Sequence, residues 1–229
     1  MQTIAERLKF ACERKDQAAA TANRPPDSIQ LLAVSKTKPV SDIRLAYEAG
    51  QRLFGENYIQ EGVEKVQTLS ELTDIVWHLI GPIQSNKARD VAAHFDWVQS
   101  IDREKIARRL NDQRPEHLPA LNVCIQVNID EEDSKSGVHV DDLDGLINAV
   151  SGFERLQLRG LMAIPKADVS AEQQQRTLQT LAELFDHYRT KLSNFDTLSV
   201  GMSGDMDEAI AHGSTMVRIG TAIFGARTP

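Results

Sequence analysis

The chain is poor in the residues that announce several common chemistries. Two cysteines occur among 229 residues, Cys12 and Cys124, far apart and in no C-x-x-C pair. They read as two reduced, partly buried thiols, and they rule out a disulfide scaffold or a cysteine-built zinc cluster. No His-Glu-x-x-His pattern offers another metal site, so no metal is expected. No G-x-G-x-x-G follows an early strand, which removes the dinucleotide-binding signature. No apolar run approaches the ~20 residues that span a bilayer. The opening MQTIAERLKFACERKDQ carries Glu6, Arg7, Lys9, Glu13 and Arg14 where a signal peptide needs an uncharged apolar core, so a cytoplasmic protein is expected. Positive charge is also in deficit, with 26 Lys and Arg against 33 Asp and Glu and a net charge of −7. Neither nucleic acid nor membrane is an expected partner; the balance suits a soluble protein with a small-molecule ligand. Stretches rich in Pro, Gly or Ser are missing, so residues 1–229 are expected to form a single domain.

What is present is a rhythm. Ile4, Leu8, Ala11 and Cys12 fall at helical spacing, and Arg24-Pro25-Pro26-Asp27 breaks that first helix. Short apolar runs then recur at 30–36, 52–57, 76–81, 97–101, 121–129, 158–164, 197–202 and 216–224, each with strand length and β-branched or aromatic content. Charged stretches of helical period separate them, among them SDIRLAYEAG, YIQEGVEKVQTLSEL, REKIARRLNDQ and VDDLDGLINAVSG. Alternating strand and helix implies a parallel sheet. Eight units predict a single (β/α)8 barrel of the TIM type with an additional N-terminal helix; an open doubly wound sheet is the rival.

In such a barrel the chemistry gathers at the C-terminal ends of the strands. Lys36 ends the first run, on the same face as Leu32 and Val34. A lysine there either marks the strand end in water or stands in an apolar mouth. In the mouth, desolvation disfavours its ammonium and frees an amine to attack a carbonyl. Glu56 and Asn57 end the second run, and Asn57 is also placed to cap the following helix. His78 lies within the third, as a structural histidine or a ligand contact. Ser203-Gly204 opens the helical stretch DMDEAIAHG, with Ser203 as a candidate N-cap, and Gly220-Thr221 follows the eighth run. The loops after strands seven and eight often cradle phosphate in this fold. Arg218 interrupts the eighth run; a guanidinium there needs either a buried carboxylate or a ligand acceptor. Lys87, Arg89 and Lys135 read as solvated surface. An amine, a phosphate cradle and a cationic donor on one rim suit pyridoxal 5′-phosphate, and an amine with a phosphate cradle also suits a lysine-dependent sugar-phosphate aldolase.

Six ordered motifs from about residue 4 to residue 227 carry a family likeness: LLAVSKTKP, FGENYIQE, WHLIGPIQSNK, LRGLMAIP, LSVGMSGDM and MVRIGTAIFGAR. Together they resemble the pyridoxal phosphate homeostasis proteins, the YggS/PROSC family, similar in fold to the barrel domain of alanine racemase. The resemblance implies pyridoxal 5′-phosphate as cofactor, held by Lys36 as an internal aldimine. It implies Ser203, Gly220 and Thr221 around the phosphate with Gly204 adjacent, Arg218 facing the pyridine nitrogen, and Asn57 and His78 lining the mouth. It further implies a cofactor carrier that supplies apo-enzymes by transient contact, without catalytic turnover; a weak amino-acid racemase is the alternative. Two-sided proton transfer needs a second base. Alanine racemase takes it from a tyrosine in a separate domain, and here the sequence stops at Pro229. Of Tyr47, Tyr58 and Tyr188, only Tyr58 lies near the rim. A monomer is expected.

Overall fold

A computed structural model describes residues 2–130 and 136–226. The first helix, α1 (Ile4–Thr21), begins in a capping box. Thr3 Oγ accepts from the Glu6 N–H at 3.2 Å, and Glu6 returns a carboxylate oxygen to the Thr3 N–H at 2.7 Å. Strand and helix then alternate: β1 (Gln30–Val34), α2 (Val40–Glu48), β2 (Leu53–Glu56), α3 (Ile59–Thr68), β3 (Val76–Leu79), α4 (Ala88–His94), β4 (Trp97–Ile101), α5 (Glu104–Gln113), β5 (Leu121–Gln126), α6 (Leu143–Ser151), β6 (Leu156–Met162), α7 (Ala171–Arg189), β7 (Thr197–Ser199), α8 (Met206–Ala211), β8 (Met216–Ile219) and α9 (Thr221–Phe224). Every strand pairs in parallel with the next, and β8 pairs with β1 through Gln30–Met216 to Ala33–Ile219. The sheet is a closed eight-stranded barrel ringed by helices, as the alternation predicts.

The strand period of two sorts the apolar residues into two layers. Outward residues such as Phe54, Leu79, Val98 and Ile125 pack with helix residues such as Ile43, Ile106, Leu110 and Leu143 in the main core. Inward residues form smaller clusters, Leu32 with Ile80 and Met216, and Trp97 with Cys124 and Met162. The barrel interior also holds His78, Gln99, Ser199 and Arg218, all buried.

Four local expectations change. The run 216–224 is not one strand: β8 stops at Ile219, and Thr221–Phe224 is a helical turn. Strand β6 starts two residues earlier than the run at 158. Helix α4, seven residues long, stands where the sequence showed only a polar segment. Lys36 lies two residues past the end of β1, in a loop where Thr37 takes a left-handed φ of 62°. Among the described residues no helix is long and apolar enough to cross a membrane, and no three His, Cys, Asp or Glu side chains are placed to hold a metal.

Candidate functional site

Seven of the eight residues singled out by sequence line one cavity of about 330 Å3 at the C-terminal mouth: Lys36, Asn57, Ser203, Gly204, Arg218, Gly220 and Thr221. Val34, Ile80, Ile164 and Met202 complete the lining. The volume suits a small ligand. A second cavity of about 290 Å3 shares Asn57, Ile80 and Ile164 and extends to Gly81, Gln126 and Asn128.

Lys36 is presented by a turn held on both sides. The Lys38 N–H donates to the Ser35 carbonyl at 3.1 Å, and the Ser35 N–H donates to the Gly55 carbonyl at 3.0 Å. Behind the turn, Ser35 Oγ donates to Glu56 Oε1 at 2.5 Å, and the Thr37 N–H donates to Glu61 Oε1 at 2.6 Å. The Lys65 ammonium joins these groups, at 2.7 Å from the Ser35 carbonyl, 2.8 Å from Glu56 and 2.6 Å from Glu61. Burial pushes the Glu56 carboxyl up, and Lys65 pulls it part of the way back.

Arg218 is buried, yet no carboxylate pairs with it among the described residues. Its Nη1 donates to the Ser199 carbonyl at 2.7 Å and to Ser199 Oγ at 2.9 Å, and its Nη2 donates to the Ala163 carbonyl at 2.9 Å. The ion-pair alternative is thereby replaced by carbonyl ligation. Burial lowers its pKa to about 10, so it remains charged at neutral pH. Among the described residues no group accepts from its Nε–H, and the side chain borders the cavity.

His78 is the residue the structure does not bring to the cavity. It sits one layer deeper, because β3 turns inward at Val76, His78 and Ile80, and Ile80 alone of these reaches the lining. Its role is legible from the hydrogen bonds. Ser199 Oγ accepts from Arg218 and donates to Gln99 Oε1 at 2.6 Å; Gln99 Nε2 donates to His78 Nδ1 at 3.0 Å. The chain runs one way from the guanidinium, so His78 Nδ1 accepts and its proton sits on Nε2. Burial pushes the His78 pKa down to about 3, and the neutral ring stacks on Trp97 at 5.0 Å.

The phosphate-type loops differ from expectation in one respect. Ser203 does not cap α8: Asp205 takes that position, and its carboxylate accepts the Met202 N–H at 2.6 Å. Ser203 and Gly204 are left at the tip of the turn, and their N–H groups and that of Thr221 have no acceptor among the described residues. Gly201, at φ 104° with a Cβ position 2.7 Å from Ala209 Cβ, lets β7 turn sharply into this loop. Gly220 allows a close pass: a Cβ there would stand 3.2 Å from the Val34 carbonyl oxygen. Helix α1 braces both loops from outside. Arg14 donates to the Ser203 carbonyl at 2.7 Å and pairs with Asp207, and Arg7 donates to the Ile223 carbonyl at 2.6 Å.

Asn57 does not cap α3, which starts after Tyr58 without a side-chain cap. Tyr58 is exposed on the rim and outside the cavity lining, while the hydroxyls of Tyr47 and Tyr188 donate to Asp74 and Asp144. Arg89 is exposed, Lys87 lies 3.9 Å from Asp90, and Lys135 lies outside the described residues. Sequence reasoning missed Lys65, Ser199 and Gln99. The pairing Glu61-x-x-x-Lys65 was visible as a helical i,i+4 pair, but its contact with Glu56 was not.

Residues 15–228 match the model of the alanine racemase N-terminal domain. The chain is 55% identical to the pyridoxal phosphate homeostasis protein of Escherichia coli strain K12, over 99% of this chain and 98% of that one. PipY from Synechococcus elongatus PCC7942, solved with PLP bound, is 36% identical, with a TM-score of 0.81 over 97% of this chain and 100% of that one. The alanine racemase of Bartonella henselae, at 16% identity and a TM-score of 0.70 over 97% of this chain and 59% of that one, shares the fold. With its matched barrel and a curated relative aligned over nearly its whole length, the chain belongs to the pyridoxal phosphate homeostasis proteins, within the alanine racemase N-terminal domain family.

Proposed function

We propose that this chain holds pyridoxal 5′-phosphate in the mouth cavity and serves as a cytoplasmic store that passes the cofactor to apo-enzymes by transient contact, as a monomer and without turnover. The observation that carries the reading is the convergence of three complementary groups on one cavity: the Lys36 amine, the Nε–H of Arg218, and the N–H groups of Ser203, Gly204 and Thr221, the last four donors having no acceptor among the described residues. The ligand needs an amine for its aldehyde, donors for its phosphate and a partner for its ring nitrogen. The cofactor would supply an aldehyde, and Lys36 would be the residue to hold it, its amine condensing there with loss of one water. Ser203, Gly204, Gly220 and Thr221 would hold the phosphate, Arg218 Nε would donate to the ring nitrogen, and Asn57 would border the ring. PipY, a relative over the same length, has been solved with this ligand.

The absence of turnover rests on two features. A guanidinium only donates, so the ring nitrogen facing it stays an acceptor, and an unprotonated ring stabilises a carbanion poorly. Proton transfer on both faces needs a second base. Among the described residues Lys36 and Arg218 are the ionisable side chains of the cavity lining.

The test is spectroscopic first and functional second. Protein mixed with the cofactor is expected to gain a visible Schiff-base band, and borohydride to fix one pyridoxyl group on Lys36. Lys36→Ala should lose both; a band that survives that substitution refutes the assignment. The loaded protein should reactivate an apo-enzyme while leaving L-alanine unracemised, and sustained racemisation by metal-free protein overturns the carrier reading.

A further inference from the structure

We infer that Lys65 is a positioning residue for Lys36: the buried Glu56–Lys65–Glu61 cluster fixes the turn that aims the Lys36 amine into the cavity. The inference rests on the covalent reading above and adds residues that take no part in contacting the ligand. Lys65 and Glu56 side chains are 6% and 0% exposed, so two charges have been taken out of water beneath a short loop. That burial is costly, and apolar packing would serve stability as well or better. What the ions do that apolar groups would not is grip backbone polar atoms. Lys65 Nζ holds the Ser35 carbonyl, and Glu61 Oε1 holds the Thr37 N–H.

These two residues flank Lys36. The grip therefore fixes the peptide on each side of Lys36, which lines the cavity. Thr37 needs the help, since its φ of 62° is a conformation that a β-branched residue rarely adopts. Among the described residues Glu56 Oε2 has no hydrogen-bond partner, and the carboxylate is held through its other oxygen by Ser35 and Lys65. The cluster draws its members from β2, α3 and the loop after β1. Register between these elements is thus converted into the direction of one side chain.

The experiment compares two ligands on three proteins. Pyridoxal 5′-phosphate can form the bond to Lys36; 4′-deoxypyridoxine 5′-phosphate, which lacks the aldehyde, tests the rest of the cavity. Glu61→Ala removes the acceptor of the Thr37 N–H at a half-buried position, and Lys65→Met removes the ammonium. Wild type should bind the aldehyde more tightly than the analogue. Each variant should lose about tenfold or more in affinity for the aldehyde and in its rate of covalent capture, the scale set by one charge-assisted hydrogen bond. Affinity for the analogue should change by less than about twofold, and Thr37 amide exchange should accelerate. Glu61→Ala carries the test if Lys65→Met fails to fold. Equal losses for both ligands, or no loss for either, overturn the positioning role. If wild type shows no preference for the aldehyde, the covalent reading falls, and the inference with it.

Discussion

The one-way hydrogen-bond chain inside the barrel makes a quantitative prediction. Ser199→Ala deletes the hydroxyl that accepts from Arg218 at 2.9 Å and donates to Gln99 at 2.6 Å. Arg218 Nη1 keeps the Ser199 carbonyl at 2.7 Å, so its loss lies at the low end for a bond to a charged group, about 1.5 kcal/mol. Gln99 Oε1 is left buried without a donor, at a further cost of about 1–3 kcal/mol. The sum is about 3 kcal/mol, which in a chain of this length lowers Tm by about 6–12 °C. Gln99→Leu orphans the Ser199 hydroxyl and His78 Nδ1 instead and should cost a similar amount. In the double variant the orphaned Gln99 carbonyl and the orphaned Ser199 proton both vanish. Its cost should fall short of the sum of the singles by about 2 kcal/mol. Urea unfolding of the four proteins measures this coupling. Additivity to within about 0.5 kcal/mol would falsify the chain, and with it the Nε2–H tautomer of His78.

The bracing of the phosphate-type loops by α1 predicts that Arg14→Gln lowers affinity for pyridoxal 5′-phosphate about two- to fivefold while sparing pyridoxal; the effect is small because the Arg14 side chain is 45% exposed. Titration with both ligands checks this, and equal weakening of the two contradicts the bracing role. For pH, the folded His78 pKa of about 3 lies below its ordinary 6.5, so between those values the unfolded chain binds the extra proton. Its contribution to stability is complete above pH 6.5 and is lost on acidification at up to about 1.4 kcal/mol per pH unit, ending near pH 3. Glu56, raised in the fold, works in the opposite direction as pH rises from its ordinary value, so the His78 share is read as the difference in slope between wild type and His78→Gln. Identical slopes would count against a neutral buried His78.

The barrel was legible because its signal is repetitive. Eight apolar runs of strand length, parted by helical stretches, specify a parallel sheet whatever the error at each boundary. The boundaries failed where one residue type serves two structures: Ala222, Ile223 and Phe224 extend an apolar run but sit in a helical turn after Gly220. Of the site, the rim residues were readable because a strand end is marked in sequence. Depth was not. Val76, His78 and Ile80 share a face, and nothing in that alternation says that Ile80 alone meets the cavity. Arg218 left an ion pair open because two of its three acceptors are backbone carbonyls, which a sequence does not display. In sequence Lys65 is one charge among several in a helical stretch, and the groups that bury it lie on β2 and the loop after β1.

The pairing of β8 with β1 places the first and last strands of the barrel side by side. Lys36 leaves the ribosome early, and Thr221 leaves it last of the cavity residues, on the order of tens of seconds later at ordinary synthesis rates. On the proposed reading, a ligand held between Lys36 and Thr221 would span the seam where the ring shuts. Its site would be complete only once β8 had paired with β1, and a ligand that binds the closed barrel would stabilise it as its occupancy rises.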